Sequence, residues 1–242
     1  MTTLPLRHLN SHLFLELSDG LWMHDTGAPA SFGDARTLRL ASQEFDIAGD
    51  CMGLNAAKLS ELVGIDCRGL LGADVLGCFD QIIDLPGGRL TLDAGELEHP
   101  GHAIELEEFM GIPILPVTVA GETFRLFFDT GAQVSYLQDD VLDTFPSAGV
   151  MQDFYPGFGE FETATHHVPI SLGPLVDLSC ACSFALPTRT SAFPETVTLR
   201  CGRLPGLFGM SLMMADAQGI LGNAILHGRT AGYFPRRGML CL

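Results

Sequence analysis

Asp25-Thr26-Gly27-Ala28 is repeated, letter for letter, as Asp129-Thr130-Gly131-Ala132. The likeness runs beyond these four residues. Ser31-Phe32 and Ser135-Tyr136 stand at the same offsets from the two aspartates. Each copy follows a β-like run, Leu21-Trp22-Met23-His24 in the first and Phe124-Arg125-Leu126-Phe127-Phe128 in the second. A glycine-containing turn precedes each run, Ser18-Asp19-Gly20 or Ala120-Gly121-Glu122. Another apolar run precedes each turn, Leu13-Phe14-Leu15 or Val117-Thr118-Val119. The pattern predicts a β-hairpin at the head of each half, its second strand ending at the aspartate.

A second block repeats further along. Residues 70–92 and 220–242 are both 23 residues long and align without a gap. Leu71-Gly72 matches Leu221-Gly222, Leu76 matches Leu226, and Gly88, Leu90 and Leu92 match Gly238, Leu240 and Leu242. Two blocks recurring in the same order predict a duplicated unit. The boundary falls in Glu98-His99-Pro100-Gly101-His102, dividing a lobe of residues 1–100 from one of 101–242. The middles differ. The first carries a helix pattern over Ala56 to Val63, with Asn55 as cap and Gly64 as stop. The second carries one over Asp139 to Phe145, stopped by Pro146, a long β-like insert from about Phe154 to Leu199, and a helical piece near Leu207 to Ala215.

Composition narrows the function classes. Of 242 residues, 47% are hydrophobic and only 17% charged, which suits compact structure throughout. Glycines and prolines scattered between short apolar runs favour a β-rich fold. The 13 basic against 29 acidic residues give a net charge of -16 without a dense Lys/Arg run, so neither a nucleic acid nor an anionic membrane is an expected partner. The amino terminus lacks a basic region followed by an apolar stretch, and no apolar run approaches a membrane span. Seven irregularly spaced cysteines favour a reducing compartment, and the expectation is a cytoplasmic protein with free thiols.

The paired motif resembles the retropepsin-like and pepsin-like aspartic peptidases, in which two Asp-Thr-Gly loops meet at a two-fold or pseudo-two-fold axis. Leu70-Leu71-Gly72 and Ile220-Leu221-Gly222 resemble the family's apolar-apolar-Gly strand that threads beside each loop. The resemblance implies a mostly β, bilobal acid-protease fold of two similar β-barrel-like lobes with a few short helices. It implies an aspartic endopeptidase whose catalytic residues are Asp25 and Asp129. It also implies that Thr26 and Thr130 hydrogen-bond across the lobe interface. Gly27 and Gly131 lack Cβ, letting two backbones approach with their N–H groups facing the carboxylates. Ala28 and Ala132 resemble the viral type of loop. Pepsin-like loops usually carry a hydroxyl there, so a milder pH range of activity is expected. Two close carboxyls share one proton and titrate as a pair. The expected substrate is an extended peptide or protein, with no metal or organic cofactor required. A monomer suffices, because both lobes lie in one chain. The alternative on the same fold is a peptide-binding module without turnover.

The family covers its substrate with a β-hairpin flap. The candidate here is Asp153 to Phe161, with Tyr155, Gly157, Phe158 and Gly159 as substrate-binding residues. The first lobe offers only Leu38 to Ala48, without a glycine-rich tip, so an asymmetric cleft is expected. His24 stands where the family usually has an apolar residue. Strand alternation points it away from Asp25, and a packed histidine is the plain reading. Trp22 is expected beneath the first loop, and Met213-Met214 in the core. Cys180-Ala181-Cys182 with His166-His167 upstream is read as packing rather than a zinc site, which needs four compatible ligands.

Overall fold

The computed structural model describes residues 1–155, 159–172, 196–206 and 209–242. Strands dominate, and the described helices are short. The two expected hairpins are present. His12–Leu17 pairs with Gly20–His24, Phe14 opposite Met23. Ile112–Val119 pairs with Glu122–Phe128, Leu115 opposite Leu126. In each half the chain turns at the aspartate and leaves along a short strand, Phe32–Gly33 or Ser135–Leu137. The apolar-Gly strand then threads between. Gly69–Leu71 runs parallel to Gly20–His24 and antiparallel to Phe32–Gly33. Gly219–Leu221 repeats this against Glu122–Phe128 and Ser135–Leu137.

The halves share a sheet. A ten-stranded sheet carries strands of both. Its seam is the antiparallel pair Asp80–Asp84 and Thr230–Phe234, with Ile82 opposite Gly232. The largest buried cluster likewise draws Leu13, Leu76, Phe79 and Leu90 from the first half, and Leu115, Phe128, Leu226 and Leu240 from the second. The core therefore crosses the boundary read from the sequence. Each half alone would leave a strand edge with unpaired N–H and C=O groups, and joining the edges satisfies both. Two smaller clusters flank this core beside the Asp loops. Phe14, Met23, Phe32, Leu59 and Leu70 form one, with Ala28 packed on it. Ile114, Phe127, Val134, Tyr136 and Ile220 form the other, with Ala132 packed on it.

A charged pin holds the seam. Asp80, fully buried, accepts from Arg236 at 3.0 Å, from Arg237 at 2.6 Å and from the Leu97 N–H at 3.0 Å. The same guanidinium groups donate to the carbonyls of Ala94, Gly95 and Leu97, tying down the connection between the halves.

The helix Ala56–Val63 forms where its capping residues place it. Asn55 accepts from the Lys58 N–H at 3.0 Å, and Gly64 takes the left-handed conformation at the other end. Asn55→Ala is expected to lower stability by about 1 kcal/mol, read from chemical unfolding. The Asp139–Phe145 pattern tightens to a 3-10 helix over Asp140–Thr144, capped by the Asp139 carboxylate on Val141 N–H. The helix Gly209–Met214 corrects one expectation. It buries Leu212, with Ala215 following, while Met213 and Met214 are 78% and 75% exposed. So short a helix has one inward face, and two adjacent residues beside Leu212 fall off it. The hairpin of Thr37–Leu40 and Gln43–Asp46 buries Leu38 and Leu40 in the shared core, which ties it to the body. Among the described residues no helix is long and apolar enough to cross a membrane.

Candidate active site

The two Asp-Thr-Gly-Ala loops meet where the halves join. Threonine carries the junction. The Thr26 N–H donates to Thr130 Oγ1 at 3.0 Å, and the Thr130 N–H donates to Thr26 Oγ1 at 3.0 Å. Thr26 Oγ1 in turn donates to Phe128 O at 2.6 Å, and Thr130 Oγ1 to His24 O at 3.0 Å. Both hydroxyls are fully buried, so this reciprocal lock works without competition from water.

Within each loop the carboxylate is held by backbone donors. Asp25 Oδ1 accepts from Gly27 and Ala28 N–H at 2.9 and 3.0 Å. Asp129 Oδ1 accepts from Gly131 and Ala132 N–H at 2.8 and 3.1 Å. The two carboxyls lie close enough for the charge of Asp129 to act on Asp25. Their approach requires glycine: a Cβ on Gly27 would lie 2.2 Å from Asp129 Cγ, and one on Gly131 would lie 2.4 Å from Asp25 Cγ. Gly27→Ala is therefore expected to drive the carboxyls apart and lower any hydrolytic rate by about 10²-fold or more, read as kcat/KM.

The threaded strands set the height of each loop. Asp25 N–H donates to Leu71 O and Asp129 N–H to Leu221 O, both at 3.0 Å. The matched serines bind the matched glycines: Gly72 N–H donates to Ser31 Oγ at 2.8 Å, and Gly222 N–H to Ser135 Oγ at 3.1 Å. Asp74 accepts from the Ser31 hydroxyl at 2.6 Å. Its counterpart in the second half is Ala224, so this brace is one-sided.

Both aspartates keep a partly exposed edge while protein surrounds the rest of each carboxyl. Burial pushes the Asp25 carboxyl well above the usual carboxylate range, and the neighbouring charge of Asp129 adds to the rise. Burial also raises Asp129. The pair thus holds a proton at milder pH than a free carboxyl does.

The hairpin expected as a cover lies in the second half. Ser147–Tyr155 pairs with Gly159–Leu172, with Tyr155 opposite Gly159. Burial raises the Tyr155 phenol, and the charges of Asp129 and Asp25 raise it further. Gly159 has φ +99, with no atom near its missing Cβ. Gly157 and Phe158 lie outside the described residues, as does Cys180-Ala181-Cys182. His166 and His167 sit in the strand Gly159–Leu172, His166 Nδ1 donating to Phe145 O at 2.9 Å. Among the described residues no three His, Cys, Asp or Glu side chains are grouped to hold a metal ion.

Several contacts around the site were not read from the sequence. Asp153, at the root of the cover, accepts from Gln133 Nε2 at 3.1 Å, from its neighbour's N–H at Phe154 at 2.8 Å, and from the Tyr136 hydroxyl. Tyr136 stands seven residues beyond Asp129, so this anchor ties the cover to the loop it covers. The nearby carboxylate and burial hold the Tyr136 phenol protonated. Tyr136→Phe is expected to loosen the cover by about 1 kcal/mol, seen as faster hydrogen exchange at Phe154 N–H. Phe154 packs on the first half's cluster around Ala28, so the cover spans both halves. His12, buried beneath it, donates from Nδ1 to Gly131 O at 2.9 Å. Tyr136 repeats Phe32 of the first half, which was the available signal. Asp153 opens the expected cover, but neither its anchoring partners nor His12 left a signal. No protein-family model matches this sequence, and no curated protein matches it significantly.

Proposed function

We propose that this chain is an aspartic endopeptidase with a bilobal acid-protease fold, hydrolysing peptide bonds with a water held between Asp25 and Asp129. One observation carries the reading. Two carboxyls from duplicated loops are brought together, each against the other loop's glycine, held by two backbone N–H groups and by a reciprocal threonine lock. An ordinary Asp-Gly turn needs none of this, and burying two carboxylates together is unfavourable unless the pair does something with its proton.

The chemistry follows from one proton shared by two sites. The ionised carboxylate takes a proton from water as the water oxygen attacks the amide carbon. The protonated carboxyl donates to the carbonyl oxygen. A neutral tetrahedral diol forms without an enzyme–substrate covalent bond. Its breakdown reverses the roles. The newly protonated carboxyl gives its proton to the amide nitrogen, the C–N bond breaks, and the other carboxylate recovers a proton from the diol. Either aspartate can hold the proton, since the pair titrates as a unit.

The surroundings suit an extended peptide. Apolar clusters adjoin each loop, around Ala28 in the first half and Ala132 in the second. Side chains flanking the scissile bond would enter these two sides, beneath the Tyr155 cover. A peptide whose scissile amide is replaced by a secondary alcohol mimics the diol and tests this directly. Binding to the parent, seen as a rise in Tm, with little binding to Asp25→Asn or Asp129→Asn, supports the proposal. Equal binding to all three contradicts it and leaves a cleft that grips peptides without using the dyad.

A further inference from the structure

The threonine lock is symmetric in its backbone bonds but not in its side chains. Position 24 precedes Asp25, and its counterpart before Asp129 is Phe128. Position 81 likewise aligns with Ala231 in the gapless repeat of 70–92 on 220–242. The second half therefore closes this place with an apolar pair, Phe128 and Ala231, both fully buried. The first half closes it with His24 and Gln81, also buried, at 1% and 0% exposure. Two polar side chains in the site of two apolar ones call for partners.

They have them. His24 Nε2 lies 2.9 Å from Gln81 Oε1, and His24 Nδ1 lies 2.8 Å from Thr130 Oγ1. Gln81 is oriented by its own amide, whose Nε2 donates to Leu76 O at 2.8 Å. Gln81 Oε1 is thus an acceptor, and His24 Nε2 must carry a proton to meet it. Burial lowers the ring's pKa, so the ring protonated at Nε2 leaves Nδ1 an acceptor, and the single hydroxyl proton of Thr130 meets two acceptors of the same residue, His24 Nδ1 at 2.8 Å and His24 O at 3.0 Å. With that proton shared between the two acceptors of His24, a lone pair of Thr130 Oγ1 faces the Thr26 N–H, the bond that brings the first loop against the second. The chain Leu76–Gln81–His24–Thr130–Thr26 runs unbroken from the body of the first half to the junction of the loops.

We propose that His24 and Gln81 are positioning residues, which orient the Thr130 hydroxyl and thereby set the distance between the Asp25 and Asp129 carboxyls. This rests on the peptidase reading for its kinetic consequence, but its structural content is independent of turnover. Thr26 Oγ1, facing apolar Phe128, has no such third partner among the described residues, so the device acts on one threonine of the two.

The decisive variant is His24→Phe combined with Gln81→Ala, which copies the second half's own solution and removes both polar groups together. Leu76 O keeps the Phe79 N–H as a donor. This variant should fold with a Tm close to the parent's. Its kcat should fall by about tenfold or more, with KM altered by less than about threefold. His24→Asn, whose amide reaches the Nδ1 position, should recover part of the loss. A readout free of catalysis accompanies these: the carboxyl ¹³C titration of Asp25 and Asp129 should be displaced in the double variant and partly restored in His24→Asn. A folded double variant whose kcat and dyad titration both superimpose on the parent's overturns the proposal. If the parent cleaves no peptide, the peptidase reading fails by itself. The ¹³C titration still decides this one, a displaced curve supporting it and a superimposed curve refuting it.

Discussion

Asp25→Asn and, separately, Asp129→Asn should each lower peptide hydrolysis by about 10³-fold or more while raising thermal stability at neutral pH. The kinetic part follows from the shared proton. An amide cannot take a proton from water, and one remaining carboxyl cannot serve as base and acid in the same step. The stability part follows from linkage. Burial raises the folded-state pKa of both groups above the unfolded value. The folded state then binds more protons than the unfolded state between those values. Stability is fully present below the unfolded carboxylate pKa and is lost as pH rises through the raised folded pKa. At neutral pH the parent bears that loss, whereas an Asn variant has one carboxyl fewer to ionise and no like-charged neighbour. Thermal scans should find either variant above the parent near pH 7, the gap closing as pH falls toward about 4. Lower activity together with lower stability would indicate a misfolded loop rather than a lost base.

Asp80→Ala should be the most damaging single change away from the dyad. The carboxylate is fully buried and answers two guanidinium groups and one backbone N–H. Removing it leaves two cations facing each other across the vacated space and leaves Leu97 N–H without that acceptor. Breaking a buried pair by deleting one partner costs about 3–5 kcal/mol. Arg236 and Arg237 keep 36% and 26% of their side chains exposed, so water relieves part of the penalty and the lower end of that range is expected. The strand Asp80–Asp84 forms the seam between the halves, so urea unfolding should shift for the whole chain rather than for the first half alone. A loss confined to residues near the linker, read by hydrogen exchange, would contradict this.

What the sequence disclosed was what repeats or acts locally. The doubled Asp-Thr-Gly-Ala and the offset-matched serines locate both loops, and the hairpins around them need only short-range pattern. The helix Ala56–Val63 starts and stops at Asn55 and Gly64 because capping is settled within a few residues. What stayed hidden depends on partners far apart in the chain. Gln81 and Thr130 lie 57 and 106 residues from His24. Strand alternation turned His24 away from Asp25 as expected, yet it could not say that the far side holds the other half's threonine. Arg236 and Arg237 give no sign of an aspartate more than 150 residues earlier. The joined core was invisible for the same reason: a repeat reveals two similar units but not how their edges pair. Met213 and Met214 were misplaced because composition weighs residue type, whereas exposure is set by which side of Leu212 faces inward.

The most direct test of the account is digestion of a diverse peptide mixture by the parent protein from about pH 3 to about pH 8, alongside Asp25→Asn and Asp129→Asn. The account predicts cleavage by the parent within extended peptides between apolar side chains, and none above background by either variant. Cleavage retained by a folded Asn variant, or no cleavage by the folded parent at any pH, would contradict it.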